Sequence, residues 1–475
     1  MSGSQPLWRL AATDAVKHLL SGEVTPTELV EAAYARIEEV DGIVNALPTR
    51  CVERAQARAA ELEKQAPDER GLLAGLPIVI KDSMEVAGVR TTFGSRAFRE
   101  HVPAISDYCV ERLEANGGIV IAKSNTPEFE AGANTFNDVF GATLNPWDTR
   151  LTAGGSSGGS AVAIATGMAW LAQGSDFACS LRCPASFCGV VGLRPTPGLL
   201  GRGPRPNPFD PLSVVGPMAR SVEDIALAME AMVGFEPRDP LSAPGAQSLF
   251  SKSSAKGTRP ARISASVDLG ITPVSRSVRA SFGEAVERMR SADFTIEPAA
   301  PVLDGLHEAF RTLRAAQFAI AWGETLPRWQ DDLREAVRWN IEAGLKLTGA
   351  QIADAERIRA QLRKRMLSFL EHYDFLVTPS AIVPPFPIDQ QFVTECDGTA
   401  FPDYIGWMAI GYAVSIAGLP ALSLPCGKTS DGMPFAIQII GAPYSEPTLL
   451  AFAHELQNVF PPNLTPIDPR APPAN

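Results

Sequence analysis

Histidine is scarce in this chain: five in 475 residues, at His18, His101, His307, His372 and His454. None lies in a glycine- or serine-rich turn, so a serine–histidine–aspartate arrangement has no evident base. Basic residues are in deficit as well, 42 Lys and Arg against 53 Asp and Glu, for a net charge of -11. That balance argues against nonspecific attachment to nucleic acid or to an anionic membrane, since both need a basic footprint. No run approaches the ~18 apolar residues that would span a bilayer. The N-terminal MSGSQPLWRLAATDAVKHLL has no basic segment followed by an apolar one, so no signal peptide is expected. Cysteine is sparse and odd in number: Cys51, Cys109, Cys179, Cys183, Cys188, Cys396 and Cys426. Such scattered thiols fit the reducing cytoplasm better than a disulfide framework. Cys179, Cys183 and Cys188 cluster without the paired spacings of a zinc site; they read as small buried apolar residues, and no metal is expected.

What the chain does contain is concentrated in residues 151–198. Gly154-Gly155-Ser156-Ser157-Gly158-Gly159-Ser160 interleaves four glycines with three hydroxyls. Glycine lets the backbone approach another group closely, so the run can form a shaped cradle. The competing reading is a flexible linker. A linker would not lead directly into a helix-like apolar segment over 161–167 and a strand-like run over 169–171. A second serine-bearing element follows, Asp176-Phe177-Ala178-Cys179-Ser180-Leu181-Arg182. Ser156 and Ser180 therefore lie at the two ends of one compact helix–strand unit.

Along the rest of the chain, helical spacing covers residues 11–39, with Thr25-Pro26 as a helix start, and residues 52–64. Leu76-Pro77-Ile78-Val79-Ile80 reads as a buried strand, followed at once by Lys81-Asp82-Ser83. A lysine at the end of a buried strand is costly unless it pairs, loses its proton or snorkels to a surface. A helix over 110–116, a strand over 119–121 and a polar loop through Lys123 to Phe129 come next. Helices are expected at 220–233 and 278–291, and a long Pro-, Ser- and Gly-rich surface connection at 236–262. Strands are expected at 263–269, 375–377, 419–425 and 435–441, and further helices at 413–418 and 446–459. The alternation favours an α/β layer architecture. Residues 306–373 are largely helical and carry Phe310, Phe318, Trp322, Trp329 and Trp339, which are core or pocket aromatics. From Pro461 onward the chain is proline-rich and expected to be poorly ordered.

Two familiar chemistries fail on spacing. A phosphate loop needs lysine and then Ser or Thr after its last glycine, whereas Gly159 is followed by Ser160-Ala161; the dinucleotide fingerprint is missing too. A hydrolase elbow needs glycine two residues either side of its serine, and Ser180 has Ala178 and Arg182 there. A serine nucleophile can instead use a desolvated, neutral lysine as its proton acceptor, and Lys81 is the lysine best placed for that.

Three segments resemble the amidase signature family: Gly75 to Asp82, Gly154 to Ser160, and Cys188 to Thr196. The likeness extends to Asn125 through Glu128, Asn145-Pro146-Trp147, Gly418-Leu419-Pro420 and Gln438-Ile439-Ile440-Gly441, in the expected order. The resemblance implies Ser180 as the nucleophile that forms an acyl-enzyme. It implies Ser156, held after a cis peptide bond, as the bridging serine, and Lys81 as the base. The oxyanion site would be the backbone amides of Phe177, Ala178, Cys179 and Ser180. Gly154, Gly155 and Ser157 would border the substrate, and Ser157 can equally cap the next helix. The family commonly has two glycines before the nucleophile where this chain has Ala178 and Cys179, whose side chains are expected to crowd the acyl pocket or tilt the amides. Asp176 and Arg182 are expected to pair and brace the loop.

The expected fold is a single large α/β/α domain over 1–475, with a mixed central β-sheet covered by helices and the helical region 306–373 over the pocket. The expected function is cofactor-free hydrolysis of a C–N amide bond, on a small or aryl amide as in an aryl acylamidase, with anilides, carbamates or esters also within reach. The expected partners are a small-molecule amide substrate and at most a second copy in a homodimer, with no nucleic acid and no membrane. The rivals are the A subunit of a glutamyl-tRNA amidotransferase and an inactive binding protein of the same fold. The latter should have lost Lys81, Ser156 or Ser180, and all three are present.

Overall fold

The computed structural model describes residues 5–242, 250, 257 and 259–470. Its centre is an eleven-stranded mixed sheet. In chain order the strands are β1 (Thr49–Arg50), β2 (Pro77–Lys81), β3 (Ile119–Ser124), β4 (Leu171–Asp176), β5 (Val191–Arg194) and β6 (Val214–Ala219). They continue with β7 (Ile263–Ala265), β8 (Ile296–Pro298), β9 (Phe375–Pro379), β10 (Ala421–Lys428) and β11 (Pro434–Ile440). Across the sheet the order is β1-β3-β2-β4-β6-β5-β10-β11-β9-β7-β8.

Strand β2 runs parallel to β3 and to β4, so three carboxyl ends open on the same edge. Strands β4, β6, β5, β10, β11 and β9 are antiparallel, each to the next, and β9, β7 and β8 return to parallel pairing. Strands β2, β3 and β4 are buried along their whole length. Helices on both faces make this possible, and it explains why β2 and β3 are runs of Ile and Val rather than alternations. The carboxyl ends of parallel strands are where α/β sheets present side chains to ligands.

Several expected elements are present with displaced ends. Thr25 closes a capping box with Glu28 ahead of the helix Pro26–Val44. Ser221 caps Val222–Met232 through the Asp224 amide. The strand expected over 169–171 instead begins at Leu171 and runs on to Asp176. The surface connection expected over 236–262 falls partly outside the described residues. The tail beyond Pro461 is irregular as expected, but it is anchored as far as it is described. The Ile467 amide donates to the Ala165 carbonyl at 2.7 Å, and Arg36 donates to the Ile467 carbonyl at 3.1 Å. The expectation of poor order therefore fails for that part of the tail. The region 306–373 forms four helices: Leu306–Trp322, Leu326–Trp329, Glu335–Leu345 and Gly349–Leu370. No helix among the described residues is long and apolar enough to cross a membrane.

Candidate active site

Lys81 is the last residue of β2 and is fully buried. Its backbone amide donates to the Gln173 side chain on β4, which fixes the strand end. The side chain points to the edge where the parallel strands end, and its Nζ lies 2.6 Å from Ser156 Oγ. Ser175 Oγ on β4 lies 2.8 Å from the same nitrogen, and Glu130 Oε1 lies 2.6 Å from it. Asp82 does not partner Lys81. It accepts from Lys123 at 3.4 Å and from the Thr92 hydroxyl at 2.5 Å. Burial pulls Lys81 below the usual lysine range, and the Glu130 carboxylate opposes that pull.

Ser156 follows a cis peptide bond, Gly155–Ser156. The glycine-rich loop is stitched down on both sides. Thr135 Oγ1 donates to the Gly154 carbonyl at 2.8 Å and accepts from the Gly158 amide at 3.1 Å. At Gly159 glycine is obligatory: a Cβ there would sit 2.4 Å from the Asn125 amide nitrogen and 2.7 Å from the Ala46 carbonyl oxygen. Gly159 and Ser160 are thereby built into the helix Gly158–Ala165, and the run is no linker. The Ser157 hydroxyl accepts from the Ser175 amide and donates to the Ser175 carbonyl, both at 3.2 Å. It makes no cap bond to the helix that follows.

Ser180 sits between β4 and the helix Arg182–Cys188 and is 6% exposed. Its carbonyl accepts from the Ser157 amide at 3.2 Å, which ties the two serine loops together. Lys81 and Ser156 are thus in direct contact, whereas Ser156 and Ser180 are joined through backbone and form no Oγ–Oγ hydrogen bond with each other. The amides of Phe177, Ala178, Cys179 and Ser180 donate to no acceptor among the described residues.

The loop that carries these amides is braced from below. Asp176, at the end of β4, takes a bidentate pair from Arg182 at 2.8 and 2.9 Å and a second guanidinium, Arg194, at 3.3 Å. Burial pushes this carboxyl up, but the two arginines outweigh it and hold it at about 2. The expected Asp176–Arg182 brace is therefore present. Ala178 and Cys179 stand away from the main cavity. Neither lines it; Cys179 turns toward the helix Ala409–Ile416, where a Cβ on Gly411 would lie 2.5 Å from Cys179 Cβ. Contact with Cys183 and burial push the Cys179 thiol well up, so it is not a ready thiolate.

A cavity of about 400 Å³ opens beside Glu130, the carboxylate on Lys81. Ser83, Glu130 and Phe177 form its wall nearest Lys81, Ser156 and Ser180, none of which lines it. One side of it is aromatic, with Phe93, Phe98, Phe129, Phe318 and Trp322, and the other carries charged groups, Glu85, His101, Asp107, Arg202, Arg205 and Asp210. Phe129 and Trp322 stack with centroids 3.9 Å apart. Of the helical aromatics, Phe318 and Trp322 thus belong to the cavity, Phe310 stacks on Tyr412 at 4.1 Å, and Trp339 is 43% exposed. Sequence reasoning missed Glu130 and Ser175. Glu130 reaches Lys81 because Phe129 and Glu130 both take positive φ, 46° and 61°. Left-handed backbone costs non-glycine residues about 1–3 kcal/mol each and collects at functional sites.

Comparisons with known proteins give the family. The profile of the family described as Amidase matches residues 28–450. The A subunit of the glutamyl-tRNA(Gln) amidotransferase from Synechococcus sp. (strain CC9605) is 34% identical, with 93% of this chain and 94% of that protein covered. An acylamidase from Rhodococcus erythropolis is 31% identical over 96% of this chain and 97% of its own length. The crystal structure of a bacterial aryl acylamidase of the amidase signature family superposes with a TM-score of 0.93 at 25% identity, covering 98% of this chain and all of that one. With the family profile matching residues 28–450 and relatives 31–34% identical over nearly its whole length, this chain belongs to the amidase signature family, hydrolases that act on amide C–N bonds.

Proposed function

We propose that this protein hydrolyses a small or aryl amide through an acyl-enzyme on Ser180, with Ser156 and Lys81 as the proton relay. The observation that carries the reading is the 2.6 Å contact between Ser156 Oγ and a lysine with no solvent exposure. In the neutral form Lys81 accepts the Ser156 proton while Ser156 accepts that of Ser180, whose oxygen bonds to the substrate carbonyl carbon. The tetrahedral oxyanion is met by the free amides of Phe177 to Ser180. Collapse breaks the C–N bond, and the proton returns along the same path to the leaving nitrogen. Water then repeats the sequence on the acyl-enzyme. Gly154, Gly155 and Ser157 shape the floor of the site.

The aromatic cavity supports an aryl group on the substrate, because its volume lies in the range of small-molecule pockets and its walls offer ring faces. Anilides, and aryl carbamates or esters that present the same carbonyl, fit that chemistry. Seven free, buried thiols support a reducing compartment, the cytoplasm. The second reading is the A subunit of an amidotransferase, favoured by the 34% identity to one such protein.

The test is a screen of primary amides, anilides and carbamates with the purified chain and its Ser180→Ala variant. Turnover of an anilide by the chain alone, abolished by Ser180→Ala, is the expected result. Hydrolysis that appears only when partner subunits are added would favour the second reading.

A further inference from the structure

Three oxygens surround Lys81 Nζ: Ser156 Oγ at 2.6 Å, Glu130 Oε1 at 2.6 Å and Ser175 Oγ at 2.8 Å. Three acceptors match the three protons of an ammonium, which has no lone pair with which to take a proton from Ser156. Glu130 Oε1 is held in turn by the hydroxyls of Ser83, at 2.8 Å, and Ser175. Its backbone lies in the left-handed region, which side chains other than glycine seldom adopt. A relay of two serines and a lysine does not call for this carboxylate, yet the fold delivers it directly onto the base.

We propose that Glu130 is a positioning residue of the relay: it clamps Lys81 against Ser156 and keeps the proton on its nitrogen, so that loss of that proton to water starts catalysis. The inference rests on the reading of Lys81 as the base. The step balances, since the ammonium gives one proton to bulk water and the resulting amine takes one from Ser156. The cavity that Glu130 faces also carries Glu85, His101, Asp107, Arg202, Arg205 and Asp210. Asp176 acts on Lys81 from the end of β4, but it is committed to Arg182 and Arg194. Arg202 faces Glu130 across the cavity and has Asp210 at 3.6 Å. Burial drives Lys81 toward the neutral amine, so Glu130 is the main group resisting that change.

The test is the pH profile of kcat/KM for the full chain, wild type against Glu130→Gln and Glu130→Ala, on an amide the wild type turns over. Without the carboxylate the ammonium loses its partner and gives up its proton at lower pH. The acid limb should therefore move down by about 1–3 pH units. A limb that stays put or moves up overturns the proposal, even if the plateau falls, because a merely structural role lowers the plateau without moving the limb. Should the variants be inactive, ¹³C-lysine NMR gives the same answer, the Lys81 signal being the one absent from Lys81→Met. Its midpoint should fall in Glu130→Gln, and an unchanged midpoint overturns the proposal. Turnover that survives Ser180→Ala would instead strike the relay itself, and the NMR midpoint would still decide whether Glu130 holds the proton.

Discussion

Replacing Asp176 with asparagine should cost both stability and activity, because this one carboxylate holds two buried guanidiniums and the loop that carries Ser180. Arg182 donates to it at 2.8 and 2.9 Å, Arg194 at 3.3 Å, and the Leu181 amide at 3.2 Å. Asparagine keeps one acceptor but turns an NH₂ group toward the arginines and leaves their charges without a counterion. Breaking a buried pair from one side costs about 3–5 kcal/mol. With unfolding entropy near 2.1 cal/mol/K per residue, the 475-residue chain has about 1 kcal/mol/K, so Tm should fall by about 3–5 °C. The same group predicts an acid dependence. Its pKa is held at about 2, below the ordinary 3.8, so its contribution is complete above the ordinary value and is lost as pH falls toward 2. That loss amounts to about 2 kcal/mol in the wild type and should be absent from the variant. Calorimetry at neutral pH and across the acid range checks both parts, and anilide turnover checks the loop. An unchanged Tm with an unchanged acid dependence would refute the reasoning. Lost activity at full stability would recast Asp176 as a participant in the chemistry.

Lys81→Met should keep the fold while lowering kcat by about 10²–10⁴ at neutral pH, the range of general-base contributions; near-full activity would remove Lys81 from the relay. Gly411→Ala should destabilise by about 1–3 kcal/mol and lower kcat more than it raises KM. Its Cβ would meet Cys179 Cβ at 2.5 Å and the Ala178 carbonyl at 2.7 Å, displacing the amides offered to the oxyanion; Cys179→Gly in the same chain should restore part of the loss. Trp322→Ala should raise KM for anilides by about tenfold while sparing small aliphatic amides, since the lost contact is a ring face.

Much of this was readable in the residues, and the exceptions have physical causes. The β2 strand was legible because Ile78, Val79 and Ile80 are apolar and β-branched, and Lys81 stood out because an ammonium is costly at such a place. Strand β4 was read too short because Gln173-Gly174-Ser175-Asp176 is polar. Those groups are buried there only because partners elsewhere in the chain satisfy them, as Lys81 and Glu130 do for the Ser175 hydroxyl and Arg182 for Asp176. The helical stretch marked Phe310, Phe318 and Trp322 as core or pocket aromatics but could not say that Phe318 and Trp322 meet a cavity while Phe310 meets Tyr412. Glu130 left no local signal. It joins Lys81, 49 positions away, through a left-handed turn that no glycine announces. The room that Gly411 leaves for the Cys179 side chain was equally silent, because the two positions lie far apart along the chain.

The central claim is that Ser180 carries the acyl group, and mass mapping of the intermediate tests it most directly. An activated aryl ester mixed with the enzyme and quenched in acid before deacylation should leave one acyl group, which peptide fragmentation locates on the Ser180 side chain. Acyl on Ser156 or Cys179, or full turnover with no adduct at all, would contradict the account.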